Sequence, residues 1–182
     1  MMNSLKWLLL VNLLCHDAIA GIGCNESSWN DNLTRFRALE SNFNQHAETF
    51  NQLLAEHNQR QLLSQEFSQH ELVLLWRAQA NVNIFKRQLQ AAKQYSQQLN
   101  TKANEIANLT KLSDSITQTW VEIADHCQRH GSKTNQISAE WYSITTQQLH
   151  RDIKQLHAQY LSLALLYDKE ADALSDAQHL SN

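Results

Sequence analysis

The chain has 182 residues, a formal net charge of −3 and 15 Lys plus Arg against 18 Asp plus Glu. Its scattered basic residues and slightly acidic balance argue against a nucleic-acid partner. It contains no proline and only three glycines, where average usage of about 5% would supply roughly nine prolines, so a loop-rich or β-rich fold is excluded in favour of a few long helices.

The first twenty residues read as a sorting signal. Lys6 is a positive n-region and the run Trp7 to Leu14 an apolar h-region. Cys15, His16 and Asp17 are polar, and Ala18-Ile19-Ala20 offers a small-x-small cleavage site. The apolar run is far shorter than the ~20 residues that cross a bilayer. These features predict a cleaved secretory signal over 1–20, a mature chain from Gly21, and a single domain over 21–182 in the periplasm or secreted. A lipoprotein acylated at Cys24 is the alternative, weakened by Gly21 at the position where a branched apolar residue is favoured and by the polar pair before it. No later stretch is apolar enough to span a membrane. Cys15 leaves with the signal, so the two remaining cysteines, Cys24 and Cys127, are expected to be oxidised in an exported protein.

The mature part opens on Trp29, Phe36, Phe43 and Phe50, four aromatic residues seven apart, with His57 in the next slot. Seven residues are nearly two helical turns, so these side chains form one stripe of one long helix. Ser27 or Ser28 can cap its start. Ser68-Gln69-His70-Glu71 has the form of a capping box, which predicts a helix connection over 64–69 and a second helix from 69 to 128. That helix carries Leu75, Val82, Phe85, Leu89, Ala92, Leu99, Ala103 and Ile106 on one face. Its register slips where Leu109, Ile116 and Ile123 begin a new series, which makes 108–115 the expected weak point. Gly131 suits a helix C-terminus. The last helix, over 134–178, has the cleanest pattern: Leu149, Ile153, Leu156, Tyr160, Leu163, Tyr167 and Leu174. The expected fold is all-α, a bundle of three long antiparallel helices with coiled-coil-like packing, or four if the second helix breaks.

Length sharpens that expectation. A helix over 69–128 is about 90 Å long and one over 134–178 about 66 Å, so the third falls some 20 Å short of the first connection. The tip there is two helices thick, and it contains the continuous apolar run Leu72 to Trp76. Two helices cannot bury such a run, which predicts that Phe67, Leu72, Leu75 and Trp76 form an exposed partner-binding surface. The same register sets Cys24 beside residue 112, about 20 Å from Cys127. An intramolecular disulfide then requires a bend at 108–115, and without it the link is intermolecular.

Chemistry-bearing constellations are few. Glu122, His126 and His130 stand at i, i+4 and i+8, a spacing that can chelate a transition metal, although nine histidines make the pattern cheap to produce. The mature part lacks both a Cys-x-x-Cys-His motif and a methionine for haem. Neither a nucleophile elbow, a phosphate loop nor His-Glu-x-x-His occurs, and Asp168 and Glu170 read as solvated helix residues. No cofactor is implied. The expected function is a non-enzymatic exported scaffold that binds a protein partner or its own copies through helix faces: an adaptor, a chaperone, a secretion accessory or an immunity protein. The alternative is a periplasmic metal-binding or metal-sensing bundle using the three candidate ligands.

Overall fold

The computed structural model describes residues 22–78 and 82–181. The signal-peptide expectation for residues 1–20 and the start at Gly21 lie outside them. Five helices follow in order: α1 Glu26–His57, α2 Leu63–Glu66, α3 Gln69–Arg77, α4 Val82–Arg129 and α5 Lys133–Ser181. The three long ones, α1, α4 and α5, form an all-α antiparallel bundle, with α5 packed along α4.

Helix ends follow from local chemistry. Asn25, rather than either serine, caps α1: its Oδ1 accepts the Ser28 N–H at 2.9 Å. Ser68 and Glu71 make the expected capping box at α3, with the Ser68 N–H donating to Glu71 Oε2 at 2.7 Å. At the end of α4, Gly131 takes a left-handed φ of 70°. The Ser132 N–H donates to the Cys127 carbonyl and the Gly131 N–H to that of Gln128. This pair of bonds closes the helix, and any side chain at Gly131 would be strained there.

α4 runs unbroken through 108–115, so the expected weak point does not exist. Its hydroxyl residues are satisfied within the helix: Ser113 Oγ donates to the Thr110 carbonyl at 2.7 Å and Thr117 Oγ1 to the Ser113 carbonyl at 2.8 Å. The break comes earlier, because α3 ends at Arg77 and α4 begins at Val82. α1 also ends at His57 rather than near residue 64. Residues 58–78 therefore form an elbow between the first two long helices.

That elbow resets the register. Cys24 faces Cys127, Arg35 reaches Ser115 Oγ at 2.7 Å, and Glu56 accepts from Tyr95 Oη at 3.0 Å. Each step up α1 is thus a step down α4. Cys24 and Cys127 lie at disulfide distance, with Sγ atoms 2.08 Å and Cα atoms 4.8 Å apart. The link is intramolecular and needs no bend in α4.

Two apolar cores result. The larger runs between α1, α4 and α5. It takes in Phe36, Phe50, Leu39, Trp120, Ile153 and Tyr160, with Trp29 and Phe43 packed against its edge. The aromatic stripe of α1 thus faces inward, as its spacing predicts. The smaller core lies beyond the end of α1, where α3 takes its place as the third helix. It comprises Leu72, Val73, Trp76, Phe85, Leu174 and Ala177.

Candidate functional site

The structure corrects the expected partner surface at the tip. Leu72 and Trp76 are 1% and 4% exposed, Leu75 is half-buried, and of the four only Phe67 is exposed. The physical reason is the length of α4. Because α4 starts at Val82, the 49-residue α5 matches its 48 residues and covers the tip. α3 lies across both, with the Trp76 ring 5.6 Å from that of Phe85. Gln69 Nε2 donates to the Ala173 carbonyl at 3.2 Å and Arg77 Nη2 to that of Leu180 at 3.0 Å. Leu72, Val73 and Trp76 of the continuous apolar run are buried because the run has helices on two sides, while Leu74 stays 49% exposed.

Glu170, expected to be solvated, is fully buried and fixes the elbow. Its Oε2 accepts the Ser64 N–H at 2.8 Å, and its Oε1 accepts the Leu63 N–H at 3.0 Å and Gln88 Nε2 at 3.1 Å. A carboxylate from α5 thus caps α2, where the free N–H groups of a helix start favour negative charge. Around it, the Tyr95 and Tyr167 rings stack at 5.2 Å and the Arg60 guanidinium lies 3.9 Å from the Tyr95 ring centre. Burial raises the phenol pKa of both tyrosines above the ordinary value. Tyr95 Oη donates to Glu56 Oε2 at 3.0 Å and Tyr167 Oη pairs with His57 Nδ1 at 3.2 Å, so each polar group at this joint has a partner.

Glu122, His126 and His130 do not converge. The His126 and His130 rings are stacked 6.4 Å apart, and His130 Nδ1–H donates to the His126 carbonyl at 2.7 Å. Among the described residues no group of three or more His, Cys, Asp or Glu is close enough to hold a metal ion.

The unaccounted surface is on α5. Ile137, Trp141 and Ile144 are 54%, 58% and 64% exposed. They stand four and three residues apart, on successive turns of one face. Extending the buried series of α5 backwards by sevens gives Ala139, Tyr142 and Thr146, which are buried or half-buried. The exposed triad is out of phase with that series and so lies on the back of the helix. That phase mismatch was readable in the sequence. Further along α5, the seam between the parallel α1 and α5 opens into a groove of about 650 Å³, walled by Phe50 and Leu54 on one side and Ala158, Ser162 and Leu166 on the other. At the level of the triad, on the inner side of α5, the Trp120 and Tyr142 rings stack at 4.7 Å, with Trp29 edge-on to both.

No helix among the described residues is long and apolar enough to cross a membrane. In comparison with known proteins, no family model matches the chain, and neither a curated protein nor a solved structure matches it.

Proposed function

We infer that the protein is exported and works without catalysis, as a rigid helical scaffold that binds protein through the back of α5. One observation carries the reading: Ile137, Trp141 and Ile144 form a continuous exposed apolar face on a helix whose other side is fully packed. Isolated exposed apolar residues are ordinary, but a run of them around a tryptophan has the composition of a binding hot spot. α1 and α4 pack against the opposite side of α5, so their part is to hold that helix straight.

Export is supported by the Cys24–Cys127 pair, since such links persist in oxidising compartments. A Cys24 sulfur bonded to Cys127 is also unavailable for a thioether lipid. Intact mass of the exported protein should therefore begin at Gly21, carry no lipid and fall two hydrogens below the reduced value.

The binding face is tested by placing a photo-cross-linking amino acid at Trp141 and, as a control, at exposed Gln97 on α4. Protein adducts from position 141 alone are expected. Equal labelling from both positions, or none, would remove the basis for the reading.

A further inference from the structure

The two sulfurs of the Cys24–Cys127 link stand in different surroundings. Cys127 is 0% exposed and belongs to the larger apolar core. Cys24 is half-buried and lines a surface pocket of about 300 Å³ with Asn25, Glu26, Trp29 and Asn135. The Asn135 amide Nδ2 donates toward Cys24 Sγ from 4.0 Å. Cys24 also immediately precedes Asn25, the cap of α1, where the free N–H groups of a helix start favour a thiolate. The Glu26 carboxylate in the same pocket works against that preference.

Thiol–disulfide exchange proceeds by attack of a thiolate on one sulfur while the other leaves as a thiolate. The sulfur within reach is Cys24, and attack there expels Cys127, whose charge would then lie in an apolar core that disfavours it. The better leaving sulfur is Cys24, but expelling it requires attack on the enclosed Cys127. Reduction is hindered by either route. Closure of the bond is not. With the bond open, Asn32 Nδ2 still donates to the Ile116 carbonyl at 3.2 Å and Arg35 Nη2 to Ser115 Oγ at 2.7 Å. These contacts keep α1 in register on α4, with Cys127 beside Cys24.

We propose that the pair exchanges with its surroundings through Cys24 alone: a disulfide-bearing oxidant joins Cys24, and Cys127 completes the bond from inside. In the first step the Cys24 thiolate attacks the donor R–S–S–R, forming Cys24–S–S–R and releasing RS⁻. In the second the Cys127 sulfur attacks Cys24 Sγ, and the departing RS⁻ takes the proton that Cys127 loses. The donor leaves as two thiols, carrying the two electrons and two protons that the cysteines gave up. In the reverse direction a thiol that has joined Cys24 is expelled again by Cys127 before a second thiol arrives. The link is a latch that closes readily and opens slowly.

The test uses glutathione as the probe and peptide mass spectrometry to locate it, so that adducts at Cys15 are counted apart. In the oxidised wild type, exposure to reduced glutathione followed by acid quenching should place the captured glutathione on Cys24 and none on Cys127. In Cys127→Ser, glutathione disulfide should modify Cys24 of the folded chain within about tenfold of the rate for the same chain unfolded. In Cys24→Ser, the folded rate at Cys127 should fall at least about 100-fold below the unfolded rate. Circular dichroism shows whether both variants fold, and the wild-type measurement depends on neither. Glutathione on Cys127 of the folded wild type, or comparable folded rates in the two variants, would overturn the proposal. So would glutathione on neither sulfur until the helical signal is lost, since exchange would then require unfolding.

Discussion

At the end of the bundle where α1 begins, a covalent link between Cys24 and Cys127 stands beside the rings of Trp29, Trp120 and Tyr142. At the opposite end, where α3 replaces α1, no covalent link is present among the described residues, and a buried carboxylate and a capping box hold the elbow by hydrogen bonds over a small apolar core. The first device acts mainly on the unfolded chain, by closing a loop across a sequence separation of 103 residues. The second acts on the folded chain and depends on local geometry. One end should therefore answer to reductant and the other to side-chain deletion and acid.

Breaking the disulfide end has the largest expected effect. Replacing Cys24 and Cys127 by serine should lower unfolding stability by up to about 5 kcal/mol, the scale for a loop of this length, as read from denaturant titration by far-UV dichroism. The aromatic cluster should persist, so the near-UV signal of the folded variant should stay close to that of the wild type. A loss of the near-UV signal in the folded state would mean that the link, rather than the ring packing, orders this end.

The elbow should break next. Glu170→Ala leaves the Leu63 and Ser64 N–H groups without their acceptor inside the fold, at a cost of about 2–3 kcal/mol. The damage should be local, seen as faster proteolysis within 58–68 while α4 and α5 keep their hydrogen-exchange protection. Uniform loss of protection along the bundle would mean that the two cores unfold as one.

Ser68→Ala removes the capping box and should cost about 1 kcal/mol. It also supplies a pH test. The hydrogen bonds from Ser68 hold the Glu71 carboxyl below its ordinary value of 4.5. A depressed folded pKa contributes stability above that value, and the contribution is lost as pH falls through the folded one. Wild type and Ser68→Ala should therefore converge in stability as pH drops below 4.5. At the alkaline extreme, burial pushes Tyr160 up to about 12. A raised folded pKa means stability is intact below the ordinary value of 10 and declines from there toward 12. Ultraviolet titration of Tyr160→Phe against the wild type should identify this late-ionising phenol.

Much of the fold is legible from local pattern. The seven-residue aromatic stripe, the capping box at Ser68 and the glycine at 131 each act within a turn or two of their own position, and each is where the sequence puts it. The start of α4 is not legible, because no glycine or proline marks the boundary after Arg77 and the apolar pattern runs through it. Its consequences propagate: a helix from 69 sets Cys24 beside residue 112 and bares the tip, whereas a helix from 82 pairs the cysteines and buries Leu72 and Trp76. Glu170 escapes a sequence reading because its partner N–H groups lie 106 and 107 residues away in sequence. The α5 face differs: its signal, a second apolar series out of phase with the inward one, is present in the sequence but outweighed by the stronger inward series.

The division between apolar residues that hold the fold and apolar residues that face outward is the central claim, and a single pair of variants measures it. Leu72→Asp places a charge in the elbow core and Ile144→Asp places one on the back of α5. Thermal unfolding followed by circular dichroism should give a markedly lower melting temperature for Leu72→Asp, reflecting a loss of at least about 3 kcal/mol. Ile144→Asp should stay within about 0.5 kcal/mol of the wild type. If Leu72→Asp melts like the wild type, or if Ile144→Asp unfolds the bundle, this division between core and surface is contradicted.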